Sequence, residues 1–123
     1  MVPEKEIVQL LFEKLCEQPS LPFPEERKTL NAPYEQGVYI IRKGSEVLHV
    51  GRTPRGRGGL HQRLSNHLHG SSSFTKQYLN GAGDKLRQGH TYQCLAIADS
   101  RQRALLEAYA IGMLCPAHLG LGE

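Results

Sequence analysis

The chain predicts a small α/β (α+β) domain, a three-stranded sheet flanked by helices, with one further helix at the amino terminus. Three observations carry this. Apolar residues recur at helical spacing near both ends of the chain. Two short apolar runs around a glycine-containing turn, Gly37 to Thr53, predict a hairpin. A third run, His90 to Ala98, is apolar on both faces at its centre, which places it inside a sheet. The length of 123 residues suits one domain with one modest core.

Taken in order, Pro3 to Gln18 reads as an amphipathic helix. Pro3 suits its first turn, and Ile7, Leu10, Leu11 and Leu15 line one face. The run Pro19-Ser20-Leu21-Pro22-Phe23-Pro24 stops it, because proline lacks the N–H a continuing helix needs. A connector to about Gln36 follows. The hairpin has two possible registers. A two-residue Gly44-Ser45 turn would pair Ile40 with His49 and put Tyr39 on the other face. A three-residue turn, Lys43-Gly44-Ser45, pairs Tyr39 with His49, Arg42 with Glu46, Ile40 with Leu48 and Val38 with Val50. The second register gathers Val38, Ile40, Leu48 and Val50 on one face and is the expected one. It sets Tyr39 beside His49 on the opposite face. Gly56, Gly58 and Gly59 then mark a loop. A helix is expected from about Gly59 to His69, and another from about Ser73 to Asn80 with a serine cap and Gly81 as terminator. After the third strand, Asp99 or Ser100 caps a helix that runs to about Cys115 and ends before Pro116.

The net charge of +3 is mild, but its distribution is uneven. Val47 to Gly83 holds no Asp or Glu, yet contains Arg52, Arg55, Arg57, Arg63, Lys76 and four histidines. Such a field suits a polyanion such as nucleic acid. The cysteines, Cys16, Cys94 and Cys115, form no CxxC pair and sit in apolar-periodic stretches, which predicts reduced core thiols in a cytoplasmic protein. His61, His67 and His69 lack zinc-ligand spacing. No apolar run approaches the roughly 20 residues of a membrane span, and no export signal or membrane partner is expected.

The last helix is apolar from Ala104 to Cys115 apart from Glu107 and Tyr109. A helix apolar all round is expected to be buried, and Glu107 in it needs a cation, a metal or a proton. An i, i+4 pair with Arg103 is one candidate. Arg63 and His67 share a helix face by the same spacing.

In this order and spacing the chain resembles the GIY-YIG nuclease superfamily. Gly37-Val38-Tyr39 resembles its first tripeptide and His49-Val50-Gly51 its second, with Gly51-Arg52-Thr53 continuing as in many members. The helix His61-Gln62-Arg63-Leu64-Ser65-Asn66-His67 is similar to the family's arginine helix, and Leu106-Glu107-Ala108-Tyr109-Ala110-Ile111 to its metal-binding glutamate helix. The resemblance covers about Pro33 to Ala117. It implies a nuclease-like domain over residues 32–123, with residues 1–31 as a helix and connector packed on it. It implies divalent-metal-dependent hydrolysis of phosphodiester bonds, with DNA the expected partner. Glu107 would hold one Mg²⁺ or Mn²⁺, and Arg63 would stabilise charge on the phosphate. Tyr39 would orient or deprotonate the attacking water, and His67 would relay a proton or contact phosphate. Arg52, Arg55, Arg57 and Lys76 would hold the backbone.

Two positions depart from the family's pattern. His49 stands where the second tripeptide usually has tyrosine; its ring either serves as the base itself or marks a fold kept for binding without catalysis. After Pro116 there is no asparagine, so either His118 substitutes or that contact is missing. The alternatives are therefore an inactive nucleic-acid-binding module or a partner-binding protein on the same scaffold.

Overall fold

The computed structural model describes residues 1–54 and 56–119. Helix α1 (Glu4–Glu17) is followed by the short strand β1 (Leu21–Pro22) and the hairpin strands β2 (Gly37–Lys43) and β3 (Glu46–Arg52). Helices α2 (Gly59–Leu68) and α3 (Ser73–Tyr78), a 3₁₀ turn over Gly83–Arg87, strand β4 (His90–Ala96) and helix α4 (Ser100–Leu114) complete the chain. The sheet has four antiparallel strands in the order β1-β4-β2-β3, not the three expected. The extra strand comes from the proline-rich connector. Leu21 and Pro22 pair with Tyr92 and Thr91. Two residues, one of them proline, are too short to leave a period-2 signal.

The sheet divides the core. Val38, Ile40 and Val50 face α1 and α4, where they meet Leu15, Ile97, Leu106 and Ala110. Tyr39, Ile41 and Leu48 face the opposite way, against Leu60, Leu64, Leu68, Phe74 and Leu86. Helix α1 is anchored at its carboxyl end, where the Gln93 amide of β4 donates to the carbonyls of Cys16 and Gln18 at 3.0 and 2.8 Å. These are the carbonyls a helix end leaves without an internal partner.

The hairpin corrects the expected register. The turn is the two-residue Gly44-Ser45 form, with Lys43 opposite Glu46 and Arg42 opposite Val47. Arg42 therefore does not meet Glu46; its Nε donates to Gln93 Oε1 at 2.9 Å. Leu48 is then an extra residue, a β-bulge, and beyond it Ile41 faces His49, Ile40 faces Val50 and Tyr39 faces Gly51. The short turn by itself would have sent His49 to the α1/α4 side. The bulge restores it to the face of Tyr39, and Leu48 joins that face as well instead of lying with Val38 and Ile40.

Helix α4 is not buried all round. Arg103, Leu106 and Ala110 are buried, while Ala108, Gly112 and Met113 are exposed. Cys115, at its left-handed carboxyl cap, is exposed rather than in the core; Cys16 and Cys94 are half-buried, and all three thiols are free. No described helix is long and apolar enough to cross a membrane.

Candidate functional site

The side chains on the α2/α3 face of the hairpin converge at its open end. Tyr39 has room because its strand neighbour is Gly51: a β-carbon there would overlap the tyrosine hydroxyl. The Tyr39 Oη lies 2.6 Å from His67 Nε2, reaching from β2 to the last turn of α2. His67 Nδ1 lies 2.6 Å from Oγ of Ser72, the residue that caps α3. The His49 ring stacks on Phe74 at a centroid distance of 4.8 Å and meets His67 edge-on at 5.2 Å. Tyr39, His49 and His67, distant in sequence, thus form one aromatic cluster.

The cluster extends to His118. After α4 the chain returns along the open edge of β3, where the N–H groups of Ala117 and His118 donate to the carbonyls of Val47 and Leu48 at the bulge. This sets His118 Nδ1 3.1 Å from His49 Nδ1, while His118 Nε2 lies 2.7 Å from Gln77 Oε1. The Gln77 oxygen accepts, so His118 carries its proton on Nε2 and His49 donates through Nδ1. The His49 Nε2 lone pair is left over. His118, the residue named as a possible substitute for the missing asparagine, thus lies against His49.

Burial sets the charge states. Desolvation pushes the Tyr39 hydroxyl up to about 12, against the opposing pull of the Arg63 guanidinium. Desolvation, with the neighbouring His118 and Arg63, drives His49 down to about 3, and His67 is held well below its ordinary value for similar reasons. Both rings are neutral at physiological pH.

Arg63, on α2, is half-buried, and its Nε is buried without a partner. Its charge acts on Tyr39, His49, His67 and Glu107, which places it among them. It also lines a recess of about 160 Å³ with Gln36, Arg57, Gln62 and Asn66.

Glu107 pairs with Arg52, not with Arg103: Arg52 Nε stands 3.5 Å from Glu107 Oε1. Burial raises the Glu107 pKa, and Arg52 offsets part of that shift. Arg103 points elsewhere, donating to the carbonyls of Ile97, Ala98 and Pro54 at 2.8–3.1 Å. It thereby ties the start of the basic loop to the β4–α4 junction. Arg52, Thr53, Pro54, Ser100 and Arg103 line a wider recess of about 520 Å³.

Of the expected phosphate-binding cations, Arg52 and Arg57 are exposed beside these recesses, Lys76 is exposed on α3, and Arg55 lies outside the described residues. The residues sequence reasoning missed are Ser72, Phe74, Thr75 and Gln77. The helix-capping serine was the available signal for this segment. Among the described residues no cluster of three or more His, Cys, Asp or Glu side chains could hold a metal by protein ligands alone. Comparison with protein-family models, with curated proteins and with solved structures found no match.

Proposed function

We propose that this chain is a metal-dependent endonuclease of the GIY-YIG type, hydrolysing phosphodiester bonds in DNA with weak sequence specificity. The observation that carries the reading is the Tyr39–His67 hydrogen bond of 2.6 Å, set within the charge of Arg63 and flanked by His49. Such a pairing suits proton transfer next to an anion. The exposed Arg52, Arg57 and Lys76 supply charge to phosphates without reading bases, which is why specificity is expected to be weak.

Each residue then has a chemical task. Arg63 brings forked donors to phosphate oxygens, and its unpartnered Nε gains a bond on doing so. A hydroxyl with a pKa of about 12 is a poor base alone. Tyr39 therefore takes a proton from water only as it passes its own to the neutral His67. His49 keeps a lone pair on Nε2 and serves as a second acceptor. Glu107 fits a Mg²⁺ or Mn²⁺ ion: its carboxylate is half-buried beside Arg52, and a desolvated carboxylate gains from a cation. A hard cation of this kind is commonly held by one or two carboxylates, with water and phosphate completing its shell. When bound it supplies polarisation of the scissile phosphate and charge for the leaving oxygen.

The test is a cleavage assay on branched, nicked and single-stranded DNA with Mg²⁺ or Mn²⁺. Cleavage by the wild type and its loss in both Glu107→Ala and Arg63→Ala is the expected result. Cleavage by either variant at the wild-type rate would refute the assignment. One observation favours a second reading, an inactive nucleic-acid-binding module on the same fold: Tyr39 and His67 are both fully buried. Binding that weakens with salt, with no cleavage under either metal, selects that reading.

A further inference from the structure

His67 has two ring nitrogens and, being neutral, one ring proton. One nitrogen donates and the other accepts, and the surroundings decide which. Its two contacts are of equal length, 2.6 Å to Tyr39 Oη and 2.6 Å to Ser72 Oγ, so distance does not decide. The hydroxyls beyond Ser72 do. Thr75 Oγ1 lies 2.6 Å from the carbonyl oxygen of His67 itself. A carbonyl has no proton to give, so the Thr75 hydroxyl proton is committed there. Thr75 Oγ1 is then an acceptor for Ser72, whose hydroxyl donates to it at 3.0 Å. With its proton used, Ser72 Oγ accepts: from the Thr75 N–H at 3.1 Å and from His67 Nδ1. All four residues are buried, so the contacts among them, rather than solvent, set these proton positions.

We infer that Ser72 and Thr75 are positioning residues that hold His67 as the Nδ1–H tautomer, its Nε2 lone pair turned to the Tyr39 hydroxyl. The catalytic consequence rests on the nuclease reading above. That reaction requires water to reach the buried Tyr39 hydroxyl; an O–H bond of that water then breaks and its proton moves to Tyr39 Oη. The Tyr39 O–H bond breaks in turn and its proton moves to His67 Nε2. The electron pair released on the water oxygen forms the new P–O bond as the bond from phosphorus to the leaving sugar oxygen breaks; that oxygen keeps the bonding pair and takes a proton from solvent. His67 leaves the step as imidazolium, its Nδ1–H still on Ser72. The opposite tautomer already carries a proton on Nε2 and has nothing with which to accept.

The experiment is long-range ¹H–¹⁵N correlation on the full chain with ¹⁵N-labelled histidine, read beside cleavage kinetics. For the wild type, His67 is expected to show a protonated Nδ1 and a lone-pair Nε2. Thr75→Val keeps the shape but removes the acceptor for Ser72, whose proton then turns to His67 Nδ1. The tautomer is expected to reverse, and kcat to fall about 100-fold or more with KM little changed. Thr75→Ser restores both. A proton on Nε2 in the wild type, an unchanged tautomer in Thr75→Val, or a reversed tautomer with unchanged kcat each overturns the inference. The wild-type spectrum decides the tautomer even where Thr75→Val fails to fold. A wild type that cuts no DNA refutes the nuclease reading, and the spectra of the wild type and Thr75→Val then decide the hydroxyl lock on their own.

Discussion

Acidification should destabilise this fold well above the pH at which carboxylates titrate. His49 and His67 are both buried and neutral, with folded pKa values depressed below 6.5, His49 to about 3. The unfolded chain therefore binds protons near pH 6.5 that the folded chain refuses, and stability falls as pH drops through that point. Each pH unit below it costs up to about 1.4 kcal/mol per histidine while the folded ring stays neutral. From about pH 7.5 to about pH 5.5 the two rings together should remove about 2.7 kcal/mol. Against a domain stability of roughly 5–15 kcal/mol this is a large fraction. Glu107 works in the opposite sense: its raised pKa makes the folded state take up a proton first, which moderates the loss toward the carboxylate range. The assay is urea unfolding at half-unit pH steps, with the midpoint and slope recorded. His49→Phe should remove about 1.4 kcal/mol of that loss, and His90 and His118, whose pKa values burial also lowers, add to the pH dependence in the same direction. A stability that stays flat between about pH 7.5 and about pH 5.5 would refute the assignment of two buried neutral rings.

Three further outcomes follow from packing and charge. Gly51→Ala forces a β-carbon onto the Tyr39 hydroxyl and should lower stability by about 2 kcal/mol, measurable as a reduced urea midpoint. Arg103→Met removes a guanidinium that three carbonyls share and should cost about 2–4 kcal/mol, whereas Arg101→Ala, which breaks an exposed pair with Glu4, should leave the midpoint unchanged. On the proposed nuclease reading, replacing Arg57 or Lys76 by glutamine should weaken DNA binding alike for all sequences and lower the salt slope by about one unit per cation, read from binding isotherms over a range of salt.

The helices were legible because their signals are local. Pro3, Asp99 and the serine before α3 act within a few residues, and the observed ends lie within two residues of those expected. The hairpin was harder. Facing Tyr39 and His49 the same way requires an even sum of shifts, and an odd turn satisfies that as well as a short turn plus a bulge; sequence pattern does not separate the two. The partner of Glu107 was hidden for a different reason. Spacing along α4 pointed to Arg103, but that side chain is drawn away by three carbonyls, and the cation that arrives comes from β3. The grouping of Tyr39, His49 and His67 was expected from motif order. The hydroxyls beside His67 were not, because Ser72 and Thr75 look like ordinary residues of a short surface helix until the fold turns them inward.

The bulge at Leu48 has a consequence for how this chain tolerates change. Along β3 the number of residues between turn and ring matters more than their identity. Another apolar side chain could stand at the buried position 48 and keep His49 where it is, but deleting that one residue would leave the turn intact while rotating His49 into the α1/α4 layer. It would also remove the Leu48 carbonyl on which the His118 N–H docks. Length variation in this hairpin is therefore expected only in pairs of residues, or in the loop beyond the strand, where no such phase has to be kept.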